Sequence, residues 1–280
     1  MDTKVCFITG CASGIGKRLA VEAYQRGYRV VVSDIDEAAL RHLTQELGWQ
    51  QDRFLSIGMD VCNHAAWQNA IEQTLQRFGR IDVLMNVAGV LKSGYVFEPC
   101  PIADIDLQLN VNVKGLMYGT YQAAQQMVKQ KSGHIINIAS LAGIAPVPGM
   151  AVYSASKHAV RGFSLAVAAE LRPHNVHVTA VCPDAVDTPM LSRMIEQPQA
   201  VLSFSGKPLS VEDVCQLIFG SVMRRRPVEA VIPAGRGFLA RLAMFFPGII
   251  INLQKPFVAL GKKRQEQLLR EKTQTTSPNK

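Results

Sequence analysis

Tyr153, Lys157 and Ser140 are the residues of this 280-residue chain whose types and spacing could move a proton and hold an oxygen. Tyr153 and Lys157 are four apart, so on a helix they share one face, a turn from each other. A tyrosine hydroxyl titrates near ~10 and is a poor base at neutral pH. A neighbouring ammonium favours the phenolate and draws that value down, which turns a tyrosine into a general base or acid. Ser140 ends the apolar run Gly133–Ala139. From a strand end its hydroxyl would hold the oxygen whose proton moves. The plainer reading is a surface tyrosine and a solvated lysine one turn apart. The N-terminal pattern bears on the choice.

Lys4–Thr9 is a short apolar run of buried-strand type. Gly10-Cys-Ala-Ser-Gly14-Ile-Gly16 follows at once, then a helical pattern over Lys17–Arg26. Glycines between a strand and a helix allow a tight turn and close approach of backbone amides to a pyrophosphate, and the helix N-terminus adds its partial charge. A glycine-rich turn alone can merely connect elements; here the strand and the helix are both in place. The next strand, Tyr28–Ser33, runs into Asp34, whose carboxylate suits the two adenosine ribose hydroxyls and would repel a 2′-phosphate. Asp34 could instead cap the helix Glu37–Leu47, a role Asp36 fills equally well. Ile35 and the glycine loop supply no arginine for a phosphate, so NAD is expected over NADP.

Further along, the pattern gives a strand at Arg53–Met59 closed by Asp60-Val61, a helix at His64–Phe78, and a strand from Ile81 leading into Asn86-Val-Ala88-Gly89. One long helix is expected over Ile105–Lys131, carrying Asn112. Then come the strand ending at Ser140, a loop to Met150 and the helix with Tyr153 and Lys157. Strand six, Val176–Val181, opens into Cys182-Pro183-Asp184 and Thr188. A polar, irregular lid is expected to Gly206, then a capping box at Ser210-x-x-Asp213 and a last strand at Val228–Ile232. Strands alternating with helices imply a single α/β domain, a doubly wound parallel sheet of Rossmann type over 1–234, with its lid at about 188–206.

Composition narrows the classes. Six scattered cysteines form no C-x-x-C and the histidines offer no ligand pattern, so free thiols are expected and no metal is implied. The first strand begins so early that no leader fits before it, which suggests a cytoplasmic protein. The net charge of +8 is uneven: from Ser221 onward there are 12 Lys/Arg against 3 Asp/Glu, and before it 18 against 19.

Taken in order, Thr9-Gly10-x-x-x-Gly14-x-Gly16, Asn86-x-Ala88-Gly89 and the set Asn112, Ser140, Tyr153, Lys157 resemble the short-chain dehydrogenase/reductase family in its single-domain form, over Lys4 to Ile232. The resemblance implies that Gly10, Ser13, Gly14, Ile15 and Gly16 cradle the cofactor. It implies that Asp34 takes the ribose, that Asp60 and Val61 meet the adenine, and that Asn86, Ala88 and Gly89 support the sheet beside it. Pro183 and Thr188 would border the nicotinamide. Tyr153 would accept the alcohol proton and Ser140 hold the substrate oxygen. Lys157 would bind the nicotinamide ribose, and Asn112 would hold a water linked to Lys157. Pairing through the two long helices is implied, as homodimer or homotetramer. Val87 and Asp184 depart from the family pattern, which more often has asparagine and glycine there.

Two other classes compete: an NAD-binding sensor or scaffold without turnover, and a sugar-nucleotide epimerase or dehydratase. The complete Asn-Ser-Tyr-Lys set speaks against the first, the glycine spacing and the short C-terminus against the second. The lid's Met190, Met194, Ile195, Val201, Leu202 and Phe204 favour a lipophilic alcohol or ketone: steroid, retinoid or long-chain. Residues 235–280 form an extension, expected to be disordered at its end. The apolar stretch Phe238–Leu253 is broken by Pro247-Gly248 and flanked by Arg236, Arg241, Lys255 and Lys262-Lys263-Arg264. Too short to span a bilayer, it is expected to lie on an anionic membrane surface. Packing over the substrate pocket or across a subunit interface is the alternative. Nucleic acid is not expected, since no recognition module accompanies the charge.

Overall fold

Val5–Thr9 (β1) is buried at every residue, as a continuous apolar run requires when both faces of its sheet are covered. In the computed structural model, which describes residues 3–99, 101–245 and 247–276 (side chains excepted at 249–254 and 272–276), β1 lies inside a seven-stranded parallel sheet. The other strands are Arg29–Asp34 (β2), Phe54–Gly58 (β3), Val83–Asn86 (β4), Gly133–Ile138 (β5), Val176–Pro183 (β6) and Glu229–Ile232 (β7). Their order is β3-β2-β1-β4-β5-β6-β7, so the connections reverse direction between β1 and β4. A crevice opens outside the carboxyl ends of the strands at such a switch point.

The first helices are Gly14–Gln25 (α1), Glu37–Glu46 (α2), His64–Phe78 (α3) and Ile102–Leu109 (α4). After them come Leu116–Gln130 (α5) and Ala151–Leu171 (α6). Each sheet face has its own core. On one, Leu19 and Ala23 of α1 meet Ile8, Val30 and Ile136. On the other, Trp67 of α3 stacks on Phe7 at 5.7 Å and its Nε1 donates to the Val61 carbonyl at 3.0 Å. Asp36 caps α2 by accepting from Ala39 N, so Asp34 is free of that duty.

One expectation is refined and one corrected. The long helix expected over 105–131 carries a π-helical turn, Asn110–Gly115, between α4 and α5. The lid is not irregular. It holds the helical turn Pro189–Ser192 (α7) and a 3-10 segment at Pro198–Phe204, with Leu191, Met194, Ala200, Val201 and Phe204 buried. In the last part of the chain Ala234–Phe245 (α10) and Pro247–Thr276 (α11) follow Val211–Leu217 (α8), Met223–Arg225 (α9) and β7. Residues 277–280, where disorder was expected, lie outside the described residues. The capping box at Ser210 and Asp213 is formed.

The extension folds back on the lid. Gln265 of α11 is buried and its Nε2 donates to the carbonyls of Met194 at 3.2 Å and Gln197 at 2.9 Å. Gly261 lies so close to the Val201 carbonyl that an added Cβ would sit 2.2 Å from it. The extension therefore covers the lid and the pocket beneath it. Two residues assigned to lipid are already paired: Arg236 with Asp184, and Arg241 with Glu229. Phe246 and the side chains of Ile249 to Leu253, part of the apolar stretch, lie outside the described residues. Among the described residues no helix is long and apolar enough to cross a membrane.

Candidate active site

The glycine loop is built for a close approach. A Cβ on Gly16 would lie 2.0 Å from the Gly10 carbonyl oxygen, so only glycine lets α1 start this near β1. Gly14, at φ +55°, opens α1 beside Thr188, whose Cγ2 is 3.3 Å from the point a Cβ would occupy. Ser13 at the N-cap makes no side-chain cap, which leaves the first-turn amides facing the crevice. A turn with free amides and no room for side chains is the donor set a pyrophosphate needs.

Asp34 stands at the tip of β2. Its Oδ2 accepts from Ala12 N at 2.9 Å and its Oδ1 from Asp36 N at 3.1 Å. The carboxylate thus also clamps the glycine loop, a role the sequence did not reveal. Each oxygen keeps a lone pair for a ribose hydroxyl. Ile35 beside it is 72% exposed, and Lys17 and Arg41 on the flanking helices are paired with Glu46 and Glu37. Asp60, exposed at the end of β3, turns the chain by accepting from Cys62 N at 2.9 Å. Val61 is wedged against Gly115.

Asn86 is a buried strut. Its Nδ2 donates to Asn137 Oδ1 at 2.9 Å and Thr120 Oγ1 at 3.2 Å, tying β4 to β5 and α5. The amides of Val87 and Ala88 both donate to Thr9 Oγ1, which joins this corner to β1. Gly89 borders both Asn112 and Lys157: a Cβ there would be 3.3 Å from Asn112 Oδ1 and 3.8 Å from Lys157 Nζ.

The π-helical turn explains Asn112. The widened turn carries its side chain into the interior, where Oδ1 accepts from Val90 N at 2.8 Å and Nδ2 donates to Val90 O at 2.9 Å. Nδ2 also reaches Ser156 Oγ on α6 at 3.1 Å. Such turns recur at functional sites because they re-aim a side chain without ending the helix.

Tyr153 and Lys157 do share a face of α6, with Lys157 Nζ 5.7 Å from the Tyr153 ring centroid. Lys157 is buried and donates to the Ile138 carbonyl at 2.8 Å. Burial pushes its ammonium down to about 8. The Tyr153 phenol is pushed up to about 12, also by burial, and the hydrogen bond from Ser140 is the influence that lowers it. The lowering expected from the neighbouring ammonium is not seen in the phenol, whose shift is upward because burial disfavours the phenolate. Ser140 Oγ accepts from Ala142 N at 3.1 Å, which aims the hydroxyl proton outward to a donated bond.

These residues line a cavity of about 810 Å³ at the carboxyl edge of the sheet. Ile15, Gly89, Pro183 and Thr188 line the side next to the glycine turn, and Ser140, Tyr153 and Lys157 line it as well. Leu191, Met194 and Leu202 of the lid and Leu239, Leu242 and Phe257 of the extension form the rest. Asp184 belongs to its wall and pairs with Arg236 of α10 at 2.9 Å, while Arg236 also donates to Ser205 Oγ at 3.1 Å. The sequence showed Asp184 as a departure but gave no signal for its partner.

A parallel sheet with an amide-lined glycine turn at its switch point, and a half-buried tyrosine beside a buried lysine facing the same crevice, defines a dinucleotide-binding protein equipped for acid–base chemistry. Residues 4–199 match the short chain dehydrogenase family, and the chain belongs to it, a family of oxidoreductases. A 3-oxoacyl-acyl-carrier-protein reductase of Thermotoga maritima is 34% identical over 224 residues, covering 78% of this chain and 89% of that one. A cyclopentanol dehydrogenase of Comamonas testosteroni is 32% identical, covering 75% and 83%. Among solved structures, a short chain dehydrogenase/reductase of Burkholderia phymatum in complex with NAD superposes with a TM-score of 0.79 at 29% identity, covering 89% of this chain and 95% of that chain.

Proposed function

We propose that this enzyme transfers a hydride between NAD and a lipophilic primary or secondary alcohol or ketone. The observation that carries the reading is the joint cavity, where Tyr153, Ser140 and Lys157 open onto apolar lid and extension side chains. Asp34, without a basic partner, supports NAD over NADP. The Burkholderia relative, which holds NAD, agrees with that choice.

In the oxidative direction Ser140 donates to the substrate oxygen and orients it toward Tyr153. Tyr153 takes the hydroxyl proton as the carbon gives up its hydride. When bound, NAD would supply the hydride acceptor and a positive charge beside the phenol. That charge would favour the phenolate and draw the phenol down beside Lys157. Lys157 would hold the nicotinamide ribose, fixed in place by the Ile138 carbonyl. Asn112, locked to Val90 and Ser156, would keep a proton path to Lys157 open through a water. The apolar wall excludes bulk water from the reacting carbon and favours steroid, retinoid or long-chain substrates over sugars. Copies would pair through the long helices α5 and α6 as homodimers or homotetramers.

The test is a screen of NAD and NADP reduction against steroid, retinoid, long-chain and sugar alcohols. Turnover with NAD and an apolar alcohol is expected. Turnover confined to sugars or to NADP would overturn the reading.

A further inference from the structure

Several side chains that wall the cavity also face solvent. Leu239, Leu242 and Phe257 line it yet are 58%, 48% and 49% exposed. Beside them Phe238, Phe245 and Leu260 are exposed without lining it. The cavity is therefore bordered by exposed apolar side chains of α10 and, at Phe257 and Leu260, of α11, an arrangement that in water leaves large apolar side chains without cover. The charge around it has one sign. Residues 230–265 contain no Asp or Glu. Once Arg236 and Arg241 are assigned to their internal partners, Lys255, Lys262 and Lys263 stand exposed, and none forms an ion pair among the described residues.

We infer that the exposed apolar and basic side chains of α10 and α11 dock the enzyme on an anionic phospholipid surface, with the cavity they border turned toward the lipid. Apolar side chains flanked by lysines, on helices that among the described residues are not long and apolar enough to cross, match an interfacial layer of acyl chains beneath acidic headgroups. A second copy fits less well. A two-fold contact would set this patch against itself, bringing lysines to lysines with no carboxylate in the segment to pair them. α11 is fastened to the lid through Gln265, so the docked surface and the cavity are tied together. The inference goes beyond the proposed reaction, and vesicle binding is read without turnover, so each can fail alone.

The experiment is flotation of the full chain with vesicles of phosphatidylcholine alone or mixed with phosphatidylglycerol, at low and high salt. Binding to the mixed vesicles is expected, weakened by salt. Lys262→Glu with Lys263→Glu should reduce it on the order of 20-fold or more, at about fivefold per lysine lost. Phe238→Ser with Phe245→Ser should reduce it by about tenfold or more per ring, with thermal melting and NAD binding unchanged. Hydrogen exchange should show vesicle protection at 238–245 and 255–263. A chain that never floats, binding indifferent to both pairs of substitutions, or protection elsewhere would overturn the inference. So would phenylalanine variants that change the oligomeric state in light scattering, which would make the patch a contact between copies.

Discussion

Replacing Arg236 by methionine removes the guanidinium that joins the extension to the cavity wall at Asp184, while keeping much of the side chain's bulk. Arg236 lies across Gly206 and holds Asp184 at 2.9 Å. The Asp184 side chain is 15% exposed and that of Arg236 37%, so the pair sits between the two limiting cases. Breaking a fully buried pair costs ~3–5 kcal/mol, and an exposed one ~0–1. We expect roughly 1–2 kcal/mol at pH 8, or a melting temperature lower by roughly 2–6 °C. The pH dependence is the sharper sign. Burial already raises the Asp184 pKa, and Arg236 is the leading influence that lowers it. Without Arg236 the folded value rises further above the unfolded one. Between the two values the folded chain holds a proton that the unfolded chain lacks, so stability falls as pH rises. Differential scanning fluorimetry should show a larger deficit at pH 8 than at pH 5. Adding Asp184→Asn should cancel the pH-dependent part. An equal deficit at both pH values would refute the reasoning.

Three further outcomes are expected. Asp34→Ala should narrow the preference of kcat/KM for NAD over NADP, mainly by weakening NAD, because it loses charge-assisted bonds of ~1.5–3 kcal/mol each; an unchanged ratio would contradict the assignment. Gly16→Ala, whose Cβ would meet the Gly10 carbonyl at 2.0 Å, should weaken NADH binding about 10- to 100-fold in a fluorescence titration, and wild-type affinity would show that the loop yields freely. His134 is buried, and burial lowers its pKa to about 3. The unfolded ring takes a proton below ~6.5 that the folded one refuses, so stability is lost as pH falls. His134→Gln should flatten the fall in melting temperature between pH 7.5 and pH 5 that the wild type shows.

The parts of the site that are local in sequence could be read there. The glycine turn, Asp34 at a strand tip, and the Tyr153–Lys157 spacing each follow from one element and its end. The π-helical turn could not be read, because Asn110–Gly115 has ordinary helical spacing and the extra residue is fixed by bonds from Asn112 to Val90 and Ser156 on other elements. The lid read as irregular because its residues are polar and broken by Pro198. Its order comes from a distant helix, through Gln265. The fate of Arg236 and Arg241 was hidden for the same reason: charge counts do not show which charges find partners. The Tyr153 phenol was misjudged because proximity to lysine is written in the sequence and desolvation is not.

The central claim is that Tyr153 moves the substrate proton. Tyr153→Phe keeps the ring packed against the lid cluster and removes only the hydroxyl. With NAD and whichever apolar alcohol the screen finds most active, single-turnover kinetics should show NAD bound as in the wild type. Hydride transfer should be slowed ~10²–10⁴-fold. A variant that keeps more than about a tenth of the wild-type rate, with the chemical step limiting, would contradict the account.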